Sequence, residues 1–211
     1  MDLYFSPLAC SLASRITVYE AGAEANFVRV DTRAGRTADG ADYRAINPKG
    51  LVPALRTDEG EVLTENAAIL QYLAERFPEA GLAPTGFERH RLRQWLSFIG
   101  SELHKYVFTP LLSPKTSSEA RTVATEAARD RFAYLNGHLA GREWLLDSFS
   151  VADAYLAAVL NWAQAVKFDL AAYPAVAAYR DRLRARPAVA RALGEEFALY
   201  KAELARQQQA A

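Results

Sequence analysis

The amino-acid sequence predicts an α/β domain followed by an all-helical domain. Strand and helix signals alternate over the first third of the chain, in the order strand, helix, strand, hairpin and helix. A Pro- and Gly-rich segment follows, and beyond it apolar residues recur at the three- and four-residue spacing of amphipathic helices. We therefore assign residues 1–78 to the first domain, 79–86 to a linker and 87–211 to the second domain.

Each element of the first domain has a local pattern. Period-two alternation indicates half-buried strands, and the turn sequence at residues 58–60 between two apolar stretches indicates a hairpin. The patterns predict strands at 3–5 and 26–30, a helix from Leu12 that stops at Gly22, a polar loop at 33–40, a hairpin of 52–56 and 61–64, and a helix at 65–77.

The second domain is predicted to contain only helices. Ser150 and Asp153 have the spacing of an N-capping box, which indicates the start of a helix rather than chemistry. We expect the polar tail at 207–211 to fray. Apolar spacing predicts helices at 87–108, 117–139, 151–166, 173–185 and beyond Pro187.

Composition argues against several classes of protein. The chain has 25 basic and 25 acidic residues, and a formal net charge of +0 does not suit nucleic acid or a polybasic membrane patch as a partner. No stretch approaches the roughly 20 apolar residues that cross a bilayer, and the first residues lack the pattern of a signal peptide. Three scattered histidines and one cysteine offer no metal-ligand spacing, so no metal is expected.

Cys10 is the only cysteine and the first candidate functional residue. It lies between the first predicted strand and helix, where the helix dipole and free amides favour a thiolate. The alternative is an unreactive thiol buried as a small apolar side chain. Because position 13 is Ala, a CxxC dithiol is excluded, and redox chemistry would need an external thiol. A single cysteine also forms no intrachain disulfide, which suits the cytoplasm.

Two further features could bind a peptide-like ligand. A cis Val52–Pro53 bond would turn the Val52 amide and carbonyl outward, although an ordinary trans proline is the alternative. The second predicted helix begins after Thr64, so its free amides and the Asn66 side chain suit a carboxylate, while Glu65 suits an ammonium group. Alternatively, Thr64 and Glu65 only cap the helix.

His104 is a candidate from the second domain. It shares a polar helical face with Ser97 and Ser101, as the wall of a cleft requires. The alternative is a solvated surface histidine.

Taken in order, these motifs resemble the glutathione transferases, and most closely their bacterial beta class. The resemblance covers nearly the whole chain and rests on residues 3–12, 47–53, 63–69, 101–105 and 150–153. It implies the glutathione transferase fold, with a thioredoxin-like N-terminal domain that binds glutathione and an all-helical C-terminal domain. It also implies a cytoplasmic homodimer with a site at each domain cleft.

The resemblance also implies roles for individual residues. Cys10 would lie beside the glutathione sulfur, with which it could form a mixed disulfide. The family often has a lysine where this chain has Gly35, so Arg33 or Arg36 would have to bind the glycine carboxylate instead. The implied catalytic residues are Cys10, Ser11 and His104, and the implied glutathione-binding residues are Val52, Pro53, Glu65, Asn66, Ser101 and Glu102.

We therefore predict an enzyme of detoxification that conjugates the glutathione thiolate to small, mostly apolar electrophiles. Thiolate is the nucleophile, so the site must favour loss of the thiol proton. One alternative is a glutathione-dependent thiol-disulfide reductase that uses Cys10 as nucleophile. The other is a non-catalytic protein that binds apolar ligands.

Overall fold

The computed structural model describes residues 1–209, except for the side chains of Gln207 and Gln209. The last helix extends to Gln209, into the tail that the sequence predicted to fray, and fraying of that tail stays a prediction. The remainder of that predicted tail, residues 210–211, lies outside the described residues.

The described helices follow the sequence prediction closely in position and order. Their bounds are α1 (Leu12–Glu20), α2 (Asn66–Arg76), α3 (Glu88–Phe98), α4 (Thr109–Leu112), α5 (Ser118–Leu139), α6 (Val151–Ala165), α7 (Pro174–Ala185) and α8 (Pro187–Gln209).

The chain forms two compact units. One contains residues 1–82 together with the chain from Arg186, and the other contains residues 83–185. Compactness thus groups α8 with the first unit, where it packs on α1, whereas the sequence placed it in 87–211. The reason is a set of ion pairs such as Arg186 with Glu20, 166 positions apart, which no local pattern encodes.

A five-stranded mixed sheet forms the centre of the first unit. The strands are β1 (Asp2–Phe5), β2 (Asn26–Asp31), β3 (Arg36–Thr37), β4 (Ala54–Arg56) and β5 (Val62–Thr64). They lie in the order β3-β2-β1-β4-β5, with β1 parallel to β2 and the other neighbours antiparallel. The strand β3 falls inside the predicted polar loop 33–40, because two residues are too few to show a period.

The helices α1 and α2 of the first unit cover apolar residues of the sheet. Five side chains with no exposed surface form one cluster: Leu3, Val18, Leu55, Ile69 and Leu73. Full burial of side chains of this size stabilises the fold by about 1.5–3 kcal/mol each. This packing fixes the starts of α1 and α2, the two helix starts that carry candidate residues.

The regular elements of the second unit, residues 83–185, are all helices, as predicted. The start of α6 has the predicted capping box, in which the Asp153 carboxylate accepts from the Ser150 amide at 2.8 Å. The same carboxylate is fully buried and also accepts from the Leu145 amide and the Tyr179 hydroxyl. These bonds compensate for burial of the charged group and tie α6 to α7.

The long helix predicted at 87–108 is not α-helical along its whole length. After α3 the chain continues through a π-helical stretch, Ile99–Phe108, into α4. The His104 carbonyl accepts from both the Thr109 amide and, at 3.0 Å, the Thr109 hydroxyl. Wider turns of this kind are rare and often occur at functional sites. His104 therefore lies on an unusual backbone.

Within residues 1–209, no helix has both the length and the apolar character required to span a membrane.

Candidate active site

Cys10 lies in the turn between β1 and α1 and is half-buried. Its Sγ donates to the Val52 carbonyl at 3.3 Å. This contact uses the thiol proton, so only the neutral thiol form of Cys10 can make it. The activated thiolate predicted from the helix start therefore stays a prediction, which depends on loss of this hydrogen bond.

Ser11 locks the turn that carries Cys10. Its hydroxyl is fully buried, accepts from the Ser6 amide at 3.3 Å and donates to the Ser6 carbonyl at 3.3 Å. These contacts favour a structural role. Its predicted role as a donor to a bound sulfur stays a prediction.

The Val52–Pro53 peptide bond is cis, as the sequence predicted. The preceding loop is held by buried Asn47, whose Nδ2 donates to the Leu51 carbonyl at 2.7 Å. The prediction for the two Val52 backbone groups holds only in part, because the carbonyl already accepts from Cys10. Among the described residues, the Val52 amide has no hydrogen-bond partner. One backbone donor thus remains for a ligand.

Glu65 directly precedes α2 and has a backbone φ of 69°, which is uncommon for a residue with a Cβ. Its Oε1 lies 2.5 Å from Lys49 Nζ, which also lies 3.0 Å from the Thr64 hydroxyl. Sequence reasoning missed this contact, although Lys49 belongs to the 47–53 motif. The structure thus gives the predicted ammonium receptor an internal cation.

Asn66 is the first residue of α2, and its side chain is buried. Its Oδ1 accepts from the Ser14 hydroxyl at 3.0 Å, whereas its buried Nδ2 has no partner among the described residues. A buried donor without an acceptor is costly, by about 1–3 kcal/mol. The first amides of any helix also lack intrahelical acceptors. Together these donors suit a carboxylate.

Arg33 and Arg36 are not the only residues that could take the place of the lysine missing at Gly35. Gly35 has a φ of 67°, a conformation that disfavours any side chain. Arg36 donates to the Gly40 carbonyl at 3.1 Å, so its guanidinium is engaged within its own loop. Arg44, which sequence reasoning missed, lies beside Gly35: its Nε is 3.8 Å from where a Cβ would stand, although its Nη1 also donates to a loop carbonyl, that of Pro48, at 3.2 Å. Arg44 is therefore a further candidate cation.

A buried ion pair connects α8 to the Cys10 turn. Glu196 has no exposed surface, and its carboxylate accepts from Arg15 Nε at 2.9 Å and from the Leu8 amide at 2.7 Å. Arg15 itself lies between the rings of Phe5 and Phe27, at 4.3 and 3.9 Å from their centroids. Burial raises the pKa of Glu196 to about 7, although Arg15 opposes this shift.

In the second unit, His104 is half-buried rather than a solvated surface residue. Its Nδ1 lies 2.8 Å from the Tyr155 hydroxyl, and its ring centroid is 4.8 Å from that of Trp162. These contacts orient the imidazole and leave the catalytic role as a prediction.

The other two predicted residues of the second unit already have partners there. Ser101 donates to the Ser97 carbonyl at 2.9 Å, within its own helix. Glu102 accepts from Arg131 at 2.9 and 3.1 Å. Their predicted contacts with glutathione stay predictions. Over the part of the chain that the structure describes, no group of three or more His, Cys, Asp or Glu side chains could hold a metal ion.

Two family models match the chain. The glutathione S-transferase N-terminal domain matches residues 2–75, and the glutathione S-transferase C-terminal domain matches residues 101–187. The chain is also 43% identical to glutathione S-transferase GstA from Escherichia coli O157:H7 over 199 residues, which covers 93% of this chain and 98% of that protein.

Solved structures agree with these matches. A sphingomonad glutathione S-transferase complexed with glutathione is 48% identical, with a TM-score of 0.89, and the match covers 93% of this chain and 98% of that chain. A bacterial beta-class glutathione S-transferase from Sphingomonas chungbukensis is 45% identical, with a TM-score of 0.89 and the same coverage. The chain therefore belongs to the glutathione S-transferase family and is similar to its bacterial beta-class members.

Proposed function

We propose that this protein binds glutathione in its first unit and conjugates the glutathione thiolate to small electrophiles, as an enzyme of detoxification. The observation that carries the proposal is the Cys10–Val52 hydrogen bond, because it joins the thiol to the loop whose Lys49 reaches Glu65 at the start of α2. A thiol, a free backbone amide and a helix start with unpaired donors thus belong to one connected set of residues.

Glutathione fits this set by its chemistry. Its γ-glutamyl carboxylate would accept from the first amides of α2 and, after a shift of the Asn66 side chain that exposes Nδ2, from that unpaired donor, whose lack of an acceptor supports this assignment. Its α-ammonium group would meet Glu65. The free amide of Val52 would donate to the backbone carbonyl of the cysteinyl residue, in the manner of an added strand. Arg44, beside Gly35, is our candidate for the glycine carboxylate.

The reaction needs a stabilised sulfur anion. Glutathione loses its thiol proton to solvent, its sulfur attacks the electrophilic carbon, and the leaving group departs with its electron pair. Cys10 would exchange its hydrogen bond from the Val52 carbonyl to the glutathione sulfur, and a donor to an anion favours that anion. His104, whose Nδ1 lies 2.8 Å from the Tyr155 hydroxyl within the second unit, is our candidate for a further catalytic residue.

Assembly and location are further parts of the proposal. The family resemblance supports a homodimer, which light scattering tests. A single cysteine that forms no intrachain disulfide supports the cytoplasm.

The test combines binding, conjugation and mass. Glutathione binding is titrated by calorimetry, and conjugation is followed with 1-chloro-2,4-dinitrobenzene. Saturable binding and conjugation are expected for the wild type, and loss of glutathione affinity is expected for Asn66→Leu. A protein that binds apolar dyes but not glutathione would contradict the proposal. Disulfide reduction without conjugation would instead support the reductase alternative.

A further inference from the structure

Lys49 occupies the position beside Glu65 at which the proposed site would bind the ammonium group of its ligand. Its Nζ contacts Glu65 Oε1 at 2.5 Å and the Thr64 hydroxyl at 3.0 Å. Under the proposed function, Glu65 receives the ammonium group of the γ-glutamyl residue. Two ammonium groups on one carboxylate repel each other, so the ligand and Lys49 compete for the same partner.

The loop that carries Lys49 is fixed, whereas its side chain is free to exchange partners. Asn47 Oδ1 accepts from the Lys49 amide at 3.2 Å, and the Asn47 carbonyl accepts from the Gly50 amide at 2.8 Å. Gly50 has a φ of 66°, as this tight turn requires. A lysine side chain has four flexible carbons, so Nζ can leave Glu65 without any change in the loop.

The Lys49–Glu65 ion pair is weak enough for a ligand to displace it. The Lys49 side chain is 47% exposed and that of Glu65 is 70% exposed. Pairs between exposed side chains are weak, because water screens the charges and both side chains lose freedom. A ligand ammonium held by further contacts should therefore displace Lys49, at a modest loss of affinity.

We propose that Lys49 is an internal competitor for the ammonium subsite on Glu65. In the free protein it neutralises Glu65, and on binding it yields to the ligand's own ammonium group. Lys49 thereby lowers the affinity for ligands that carry a free α-amine and leaves amine-blocked ligands without that competition. This inference rests on the proposed function, because it assigns the subsite within the proposed glutathione site.

The experiment compares two ligands on three proteins. Calorimetric dissociation constants are measured for glutathione and for N-acetylglutathione, which lacks the ammonium charge, on the wild type, Lys49→Gln and Lys115→Gln. Lys115 is exposed and lies in the second unit, so Lys115→Gln matches the change in net charge. We expect Lys49→Gln to improve binding of glutathione relative to N-acetylglutathione two- to fivefold, and Lys115→Gln to leave the ratio unchanged.

A second experiment uses glutathione as its only ligand. Lys49→Gln should tighten glutathione binding when Glu65 is present and should lose that effect in a Glu65→Gln background, because the competed carboxylate is gone. Equal weakening of both ligands by Lys49→Gln would mean that Lys49 binds a ligand carboxylate, and it would overturn the proposal. An unchanged ratio with glutathione binding intact would also overturn it. Failure of the wild type to bind glutathione would contradict the proposed function itself.

Discussion

Replacing Glu65 by glycine and by alanine should separate backbone strain from side-chain charge at the start of α2. Both variants remove the carboxylate, but only glycine tolerates the φ of 69° without a Cβ clash. A strained residue of this kind costs about 1–3 kcal/mol. Glycine loses about 0.4–1 kcal/mol more conformational free energy than alanine on folding. The glycine variant should therefore be more stable than the alanine variant, by about 1 kcal/mol.

Glutathione binding should respond differently from stability. Loss of a charge-assisted contact to the ligand ammonium costs about 1.5–3 kcal/mol, which is roughly a ten- to hundredfold rise in the dissociation constant. Because Lys49 already competes for Glu65, we expect the lower part of that range. Both variants should lose affinity to the same extent, since neither has a carboxylate. The strained backbone would then serve to aim the carboxylate at the ligand.

Urea denaturation and calorimetric titration of the two variants and the wild type measure both quantities. An alanine variant as stable as the glycine variant would limit the strain at residue 65 to about the 0.4–1 kcal/mol that glycine loses in conformational free energy, below the range expected for a strained residue. Unchanged glutathione affinity in both variants would show that Glu65 only caps α2 and pairs with Lys49. Either result would refute the corresponding half of the prediction.

Three other predictions concern residues of the first unit. Cys10→Ala should abolish a glutathione adduct detected by intact mass after treatment with glutathione disulfide, yet retain conjugation within about tenfold, because the ligand supplies its own sulfur. Asn66→Leu should weaken glutathione binding about tenfold or more. The midpoint of urea denaturation should change little, because the lost bond to Ser14 is offset by removal of the unpaired Nδ2. A large fall in stability with normal glutathione binding would contradict this prediction. Burial raises the pKa of Glu196 to about 7 from 4.5, so the folded state binds its proton more tightly than the unfolded state, and stability falls as pH rises between these values. Relative to Glu196→Gln, which does not titrate, the free energy of unfolding of the wild type should fall by up to about 3 kcal/mol between pH 4.5 and pH 7. If the wild type instead becomes more stable than Glu196→Gln as the pH rises, the ion pair with Arg15 dominates.

The sequence predicted what local patterns encode. The order of the predicted strands and helices, the cis Val52–Pro53 bond and the capping box at Ser150 each depend on a few neighbouring residues, and all are present, whereas the two-residue strand β3 was missed. Contacts between distant segments could not be predicted in the same way. The Lys49–Glu65 contact joins a loop to a helix start, and the proximity of Arg44 to Gly35 depends on how one loop folds back on another.

The clearest case of this limit is the contribution of α8 to the Cys10 turn. Arg15 and Glu196 are 181 positions apart, so no motif links them, and α8 lies almost entirely beyond the residues that the two family models match. Yet the Glu196 carboxylate accepts from the amide of Leu8, which has a φ of 60° and precedes Cys10 by two residues. Without this acceptor the Leu8 amide and the Arg15 guanidinium would each lose a buried partner. The motif at residues 3–12 therefore supplies the thiol, and the last helix helps to hold the turn in which that thiol meets Val52.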